Sequence, residues 1–499
     1  MNDSNSLIAN LQNLLQATDP HPVELIQTHI SWVLLTRDCV YKIKKPVHFG
    51  FVDFSTLEQR RHFCFEELCL NRRVPSTLYL DVVPIAGSSA QPELGGGGTP
   101  IEFAVKMRRF DQRWLFGRMI AAGDLQPGHI DQLARTVADL HRVCPVAAAD
   151  SPWGAKSIVT RYVFDNIDAL LALVNDPDMT RTLSALRAWT VQETERLSEL
   201  FAKRKAAGFV RECHGDLHMG NIVVWDGRVV PFDALEFNEE LRWIDVLSEV
   251  AFVSMDFSKH GRADLAWRFL NLYLDQTGDY EGVPLLRYYS VYRAVVRALV
   301  AALSRAQVIA ESEASRKASA EIQDYVRCAD ELARNAKPKL WITHGLSGSG
   351  KTTGTQQWIE RNGAIRVRSD VERKRLSAAP QQATDSSRPE MYSTEAVARI
   401  YDRLHDLAAL MLRSGQSVVV DATFLRRADR QRFRNLAATC GVPFGILAFN
   451  APADELRRRI ELRQIAGTDA SDANLAVLEK QLIEREPFDA EELAATTSM

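Results

Sequence analysis

Eight consecutive residues, Gly345, Leu346, Ser347, Gly348, Ser349, Gly350, Lys351 and Thr352, carry the spacing G-x-x-x-x-G-K-[ST], and Thr353 follows them in the same phosphate-binding stretch. A loop of this kind turns its backbone N–H groups onto phosphates. Its lysine reaches the β- and γ-phosphates, and its hydroxyl, here that of Thr352, ligates magnesium. A second constellation lies upstream, where His214, Gly215 and Asp216 are followed by Asn221 at the spacing H-x-D-x-x-x-x-N, and then by Asp233. Phosphoryl transfer to a hydroxyl needs one carboxylate to accept the proton, and an amide and a second carboxylate to hold magnesium on the nucleotide phosphates. Asp216, Asn221 and Asp233 supply those parts in that order. Three polar groups at this spacing between two β-branched runs are hard to obtain from turn propensity alone, although Asp, Gly and Asn are common in loops.

The same chemistry needs a strand lysine for the phosphates and a helix glutamate to hold it. VYKIKK offers Lys42 and Lys44, which the two-residue strand period places on one face, and CFEELCLNRR offers Glu66 and Glu67, of which Glu67 is preferred. Near the second loop, SVVVDAT ends an apolar run in Asp421, where a carboxylate at the end of a parallel strand serves a magnesium site. Asp370 follows the short extended run RVRS, and ELRRRIELRQ puts Arg459 and Arg463 on one helical face.

The elements that must position these groups follow from the hydrophobic pattern. From Ser31 to Phe110 extended runs flank one helical stretch, STLEQRRHFCFEELCLNRRV, and Gly95 to Gly98 fall in a hairpin loop. Helical spacing dominates from DQLARTVADLHR to Arg334, interrupted by the short runs around HGDLHMGN. Lys337, Pro338 and Lys339 break the pattern before LWITH, a strand that enters the glycine loop, and TTGTQQWIERN, the helix that leaves it. Two domains are expected, residues 1–335 and 336–499.

HGDLHMGN followed by FDALEFN resembles the aminoglycoside phosphotransferase family, related to choline and fructosamine kinases, and the resemblance spans about residues 30 to 330. It implies a protein-kinase-like bilobal phosphotransferase fold of the α+β class, with Asp216 as catalytic base and Asn221 and Asp233 on magnesium. Asp245 in RWIDVLSEVAF would buttress the catalytic loop. Counting back from Pro46 by the same resemblance favours Lys44, paired with Glu67, as the ATP lysine. No G-x-G-x-x-G loop precedes that strand; SWVLLTRD stands there instead.

Beyond residue 338, the glycine loop, RSD, VVVDAT and the arginine-rich helix are similar to small P-loop kinases such as polynucleotide kinase, zeta toxins and gluconate kinase. This implies an α/β fold, the three-layer parallel sheet of P-loop NTPases. It implies also that Asp370 acts as base on the acceptor, and that Arg459 or Arg463 is a lid arginine neutralising the transferred phosphoryl group. The order VYKIKKP, LNRR, HGDLHMGN resembles bacterial proteins in which an aminoglycoside phosphotransferase domain is fused to an ATP-binding P-loop domain. ATP and Mg2+ are the cofactors expected, and a small molecule bearing a hydroxyl is the acceptor.

Composition bounds the alternatives. With 499 residues, 46% hydrophobic, the chain can bury more than one core, and a formal charge of −3 gives no global attraction to nucleic acid or to an anionic membrane. The start MNDSNSLIANLQ lacks a signal-peptide pattern, and no apolar run is long enough to span a bilayer. Seven cysteines without CxxC or zinc spacing suit a reducing cytoplasm. Two rival readings are a regulatory module in which one ATP site only switches conformation, and a C-terminal nucleic-acid end kinase. The latter would use RRADRQRFR as a basic patch, although the same run also reads as a solvated helix face.

Overall fold

A computed structural model describes residues 2–499 except 51, 307, 310, 311, 335, 336, 379–393 and 467–473, and all their side chains apart from those of 2, 3, 378, 394 and 463–466. Two compact units emerge, residues 1–165 with 198–256, and residues 166–197 with 257–499.

The first unit begins with α1 (Asn2–Thr18) and a six-stranded antiparallel sheet. Its strands are β1 (Glu24–Gln27), β2 (Ser31–Leu35), β3 (Cys39–Lys44), β6 (Tyr79–Gly87), β7 (Pro92–Leu94) and β8 (Glu102–Arg108), in the order β1-β2-β3-β8-β6-β7. Between β3 and β6 lie a small hairpin, β4 (His48–Phe49) and β5 (Val52–Asp53), and the helix α2 (Leu57–Asn71). Thr56 starts α2 with a capping box: its side chain accepts from Gln59 N, and the Gln59 side chain accepts from Thr56 N.

Alternation along β3 divides the sheet. Tyr41 and Ile43 pack with Leu7, Ile8 and Leu11 of α1, whereas Val40 joins the opposite core with Cys64 and Leu68 of α2. Lys42 and Lys44 share the α2 side by the same period of two. The rest of the unit is built around the segment that follows the short strand β9 (Val210–Glu212). A hairpin of β10 (Ile222–Trp225) and β11 (Arg228–Pro231) comes next, and β12 (Trp243–Asp245) returns to pair with β9. The helices of this part are α3 (Phe116–Ala122), α4 (Pro127–Val143), α7 (Ser198–Ala206) and α8 (Glu239–Arg242), while α5 (Lys156–Leu173) and α9 (Val246–Lys259) run across the division between units.

The second unit holds the helices α6 (Pro177–Arg196), α10 (Ala263–Thr277), α11 (Leu286–Arg305) and α12 (Glu313–Ala333), followed by a five-stranded sheet. Its strands β13 (Leu340–His344), β14 (Ile365–Arg368), β15 (Val418–Asp421), β16 (Phe444–Ala448) and β17 (Thr496–Ser498) are all parallel, in the order β14-β15-β13-β16-β17. Every residue of β15 is buried, as expected of a central parallel strand covered on both faces. The helices after β13 are α13 (Lys351–Asn362), α14 (Ser369–Ala378), α15 (Thr394–Arg413), α16 (Arg427–Thr439), α17 (Ala453–Ala466), α18 (Leu475–Glu484) and α19 (Ala490–Ala494). The expected strand–glycine loop–helix unit is therefore present as β13, residues 345–350 and α13.

β14 is an edge strand, and α10 covers it. The Asn271 side chain donates to Ala364 O at 2.9 Å and accepts from Arg366 N at 2.6 Å, taking the place of a neighbouring strand. Arg268 pairs with Glu360 of α13 at 2.8 Å, and a Cβ on Gly363, at φ +70°, would run into the Trp267 ring. Helices encoded before residue 335 thus belong to the same compact unit as the parallel sheet.

Candidate active sites

In the first unit, the loop after β9 brings the upstream constellation together. Gly215 sits at φ +86°, where a Cβ would come within 3.1 Å of Leu241 O. Asn221 Nδ2 donates to Asp216 O at 2.9 Å and lies 3.2 Å from Asp216 Oδ2. Asp233, just past β11, adopts φ +62°, a left-handed conformation that costs energy and that clusters at functional positions. Its N–H donates to the Tyr79 hydroxyl at 3.1 Å, and the next amide, Ala234 N, donates to Asn71 Oδ1. Asp216 and Asp233 keep 38% and 42% of their side-chain surface exposed, so both carboxylates remain accessible.

Lys42 Nζ lies 2.9 Å from Glu67 Oε1 and also bonds Asp233 Oδ1. Lys44 Nζ lies 2.8 Å from Glu67 Oε2, contacts Glu236 Oε1, and sits 5.0 Å from the Phe54 ring centre. Both lysines therefore meet Glu67, as the strand period implied, but they are not equivalent. Lys44, favoured from sequence as the ATP lysine, is sealed beneath Phe54 between two buried carboxylates, whereas Lys42 stands beside Asp233 with some of its surface open. Burial pushes the Lys42 ammonium down, but Asp233 and Glu67 outweigh it and hold it well above the ordinary lysine value. Burial likewise pushes Glu67 up, and the two lysines overcome it, bringing its carboxyl down to about 2.

The catalytic loop is supported by groups that the sequence reading did not single out. Glu249 accepts from Gly215 N at 2.8 Å and pairs with His141 Nε2 at 2.8 Å, while Asp256 accepts from Met219 N at 2.9 Å. The signal for these two was available, since 256 − 249 = 7 residues is two turns of α9, and a helix as apolar as VLSEVAFVSMDF has little reason to bury carboxylates on one face. Asp245, expected to buttress the loop, forms a two-pronged pair with Arg204 at 2.6 and 2.8 Å. In this way it anchors β12 beside the strand that leads into the loop.

In the second unit, Gly348 and Gly350 take φ +83° and +86° in the glycine loop, conformations that side-chain-bearing residues rarely adopt. Gly350 then starts α13, whose first backbone N–H groups face a cavity of about 310 Å³. Lys351, Thr352, Asp370, Asp421 and Arg459 all line this cavity. Lys351 Nζ donates to Gly345 O and Leu346 O, both at 2.8 Å, and Arg459 Nη1 lies 3.4 Å from Gly348 O. Asp370 faces Arg373 at 3.0 Å. Arg463 lies on α17 with its side chain outside the described residues.

Burial raises the Asp421 carboxyl above the usual range, opposed by the charges of Arg366, Lys351 and Arg368. Magnesium takes hard oxygen donors, and the Thr352 hydroxyl and Asp421 carboxylate that line this cavity are donors of that type. The upstream site offers the same donor chemistry through the Asn221 amide and the Asp233 carboxylate. The arginine run from Arg426 to Arg434 is largely committed to internal pairs: Arg430 with Glu492 at 2.7 Å, Arg432 with Asp402 at 2.7 Å and Arg434 with Glu491 at 2.7 Å.

Two proteins described as uncharacterized, from Mycobacterium tuberculosis and Mycobacterium bovis, are each 30% identical to this chain over 467 residues, covering 91% of this chain and 90% of their own length. The chain belongs to their family. Within it, residues 91–286 match the model of the phosphotransferase enzyme family, and residues 340–488 match that of an AAA domain. The chain thus carries a phosphotransferase-family domain at residues 91–286 and a P-loop domain of the kinase-like kind at residues 340–488. Among solved structures it is similar to a choline/ethanolamine kinase family protein from Mesorhizobium loti, at 12% identity over 65% of this chain and 99% of that one, with a TM-score of 0.37. It is also similar to a gluconokinase from Sinorhizobium meliloti, at 22% identity over 33% of this chain and 82% of that one, with a TM-score of 0.22. No helix among the described residues is long and apolar enough to cross a membrane.

Proposed function

We propose that the chain carries two ATP- and magnesium-dependent phosphoryl-transfer sites, in modules dividing near residues 335 and 336, each acting on a hydroxyl of a small molecule in the cytoplasm. The observation that carries this reading is the convergence of Lys351, Thr352, Asp370, Asp421 and Arg459 on one cavity at the carboxyl ends of parallel strands. The grouping of Asp216, Asn221, Asp233, Lys42 and Glu67 supports the same chemistry upstream.

In the first site Lys42 orients the nucleotide phosphates and Glu67 holds Lys42. Asp216 accepts the proton of the acceptor hydroxyl, and Asn221 and Asp233 would hold magnesium, which neutralises phosphate charge when bound. In the second, the loop amides and Lys351 hold the phosphates, and Thr352 and Asp421 would hold magnesium. Asp370 accepts the acceptor proton, and Arg459, already against the loop, meets charge developing on the transferred group.

The test is a screen of hydroxyl acceptors, among them aminoglycosides, choline, sugars and amino acids, against the full chain and its Asp216→Asn and Lys351→Ala variants. Acceptor-dependent ADP release that one variant abolishes and the other keeps assigns that acceptor to a site. Release that survives in both variants, or no release above background with any acceptor, rejects the reading.

The two lysines separate by measurement. Lys42→Met is expected to weaken ATP binding at the first site at least tenfold, with a smaller loss of thermal stability than Lys44→Met because Glu67 keeps Lys44 as its partner. Lys44→Met instead leaves buried Glu67 and Glu236 without their shared ammonium, a loss of about 3–5 kcal/mol in stability. Calorimetry and thermal denaturation of the full-length variants check both. A normal melting temperature with lost ATP affinity in Lys44→Met would return the phosphate role to Lys44.

A further inference from the structure

The glycine-loop cavity includes a cation that its motifs do not account for. Arg368 closes β14, two residues before Asp370, and lines the cavity. Arg366 lies on the same face of that strand by the period of two and is fully buried, with its guanidinium donating to Thr352 O, Thr355 Oγ1 and Gln356 Oε1. Two guanidiniums so close in a buried setting repel, and each is costly without a counter-charge.

The counter-charge comes from α10. Asp275 Oδ2 lies 3.3 Å from Arg368 Nη1 and 3.6 Å from Arg366 Nη2. Its other oxygen accepts from the Tyr280 hydroxyl at 3.2 Å, and its backbone carbonyl accepts from Arg375 Nη2 at 2.8 Å. The carboxylate is therefore clamped from three directions and is itself buried to about nine-tenths of its side chain. Residue 275 lies within the span matched by the phosphotransferase family model, yet its side chain belongs to the surroundings of the P-loop cavity.

We propose that Asp275 is a positioning residue of the glycine-loop site, holding Arg368 at the cavity wall so that it does not close onto Asp421 and Asp370. Without Asp275, the carboxylates whose charges still act on Arg368 are those two, and Asp421 is its partner across the strand pair β14–β15. An arginine seated on Asp421 competes with magnesium for the same oxygen atoms. The effect of losing Asp275 should therefore fall on magnesium dependence and turnover, with ATP recognition at saturating magnesium unaffected.

This inference rests on the reading of the second site as a nucleotide site, and the test separates the two. The share of ATP turnover and of Mg·ADP binding that Lys351→Ala removes from the full chain defines that site. In Asp275→Asn, the magnesium concentration giving half of that share is expected to rise about tenfold and turnover to fall by a similar factor, with the KM for ATP at high magnesium changed less than about twofold. Magnesium-dependent ADP affinity, read by calorimetry, should fall in parallel.

Asp275→Glu keeps the charge and is expected to restore most of the loss, and it serves if the asparagine variant does not fold. Arg368→Met removes the arginine, so adding Asp275→Asn to it should change the magnesium requirement no further. A normal magnesium requirement in folded Asp275→Asn, or losses that simply multiply in the double variant, would overturn the role of Asp275. If Lys351→Ala removes no turnover and no binding, the nucleotide reading of the cavity fails instead.

Discussion

Replacing Lys351 by alanine is expected to abolish nucleotide turnover at the glycine-loop site, a loss of roughly a hundredfold or more, or about 3 kcal/mol in the transition state. The lysine ammonium now rests on the carbonyls of Gly345 and Leu346, which places it over the mouth of the loop. Lys351 also lines the cavity, and no other lysine does so among the described residues. The measurement is ADP release by the full chain, with thermal denaturation as a control for folding. The full chain is required because cutting at residue 336 removes α10, leaving the backbone of Arg366 and the carbonyl of Ala364 without their Asn271 partner. A folded Lys351→Ala protein that turns over nucleotide at the second site unchanged would sink the assignment.

At the first site, Asp216→Asn and Asp233→Asn are expected to fail differently. A base is needed only while the proton moves, whereas a metal ligand is needed as soon as Mg·ATP binds. Asp216→Asn should keep near-normal Mg·ATP affinity and lose acceptor phosphorylation by about a hundredfold or more. Asp233→Asn should lose the gain in affinity that magnesium brings, and it also takes a charge away from Lys42. Nucleotide titrations with and without magnesium, in a Lys351→Ala background that silences the second site, distinguish the two. Equal loss of metal-dependent affinity in both variants would show that the roles are not divided in this way.

Much of this was legible in the sequence because backbone chemistry writes short, local patterns. The glycine loop needs Gly348 and Gly350 at positive φ and Lys351 at the start of a helix, so three neighbouring residues announce it. Asp216 and Asn221 are likewise tied by a hydrogen bond across five residues. What distinguishes Lys42 from Lys44 was not legible, because both share one face of β3 and differ in what the loop at Asp233 and Glu236 lays over them. Glu249 and Asp256 left a periodic trace on an apolar helix, but their partners Gly215 and Met219 lie more than thirty residues away. Asp275 left no trace at all, since nothing in LNLYLDQTG marks a carboxylate that will meet two arginines over ninety residues later.

That separation also sets an order of events during synthesis. Asn271 leaves the ribosome 95 residues before the Arg366 amide that it receives, so at about 5–20 residues per second the helix waits roughly 5–20 seconds for its strand. The residue that caps the lip of the sheet is thus synthesised before the sheet, and β14, once translated, has a hydrogen-bonding partner in its own chain to compete with the exposed strand edges of other newborn chains.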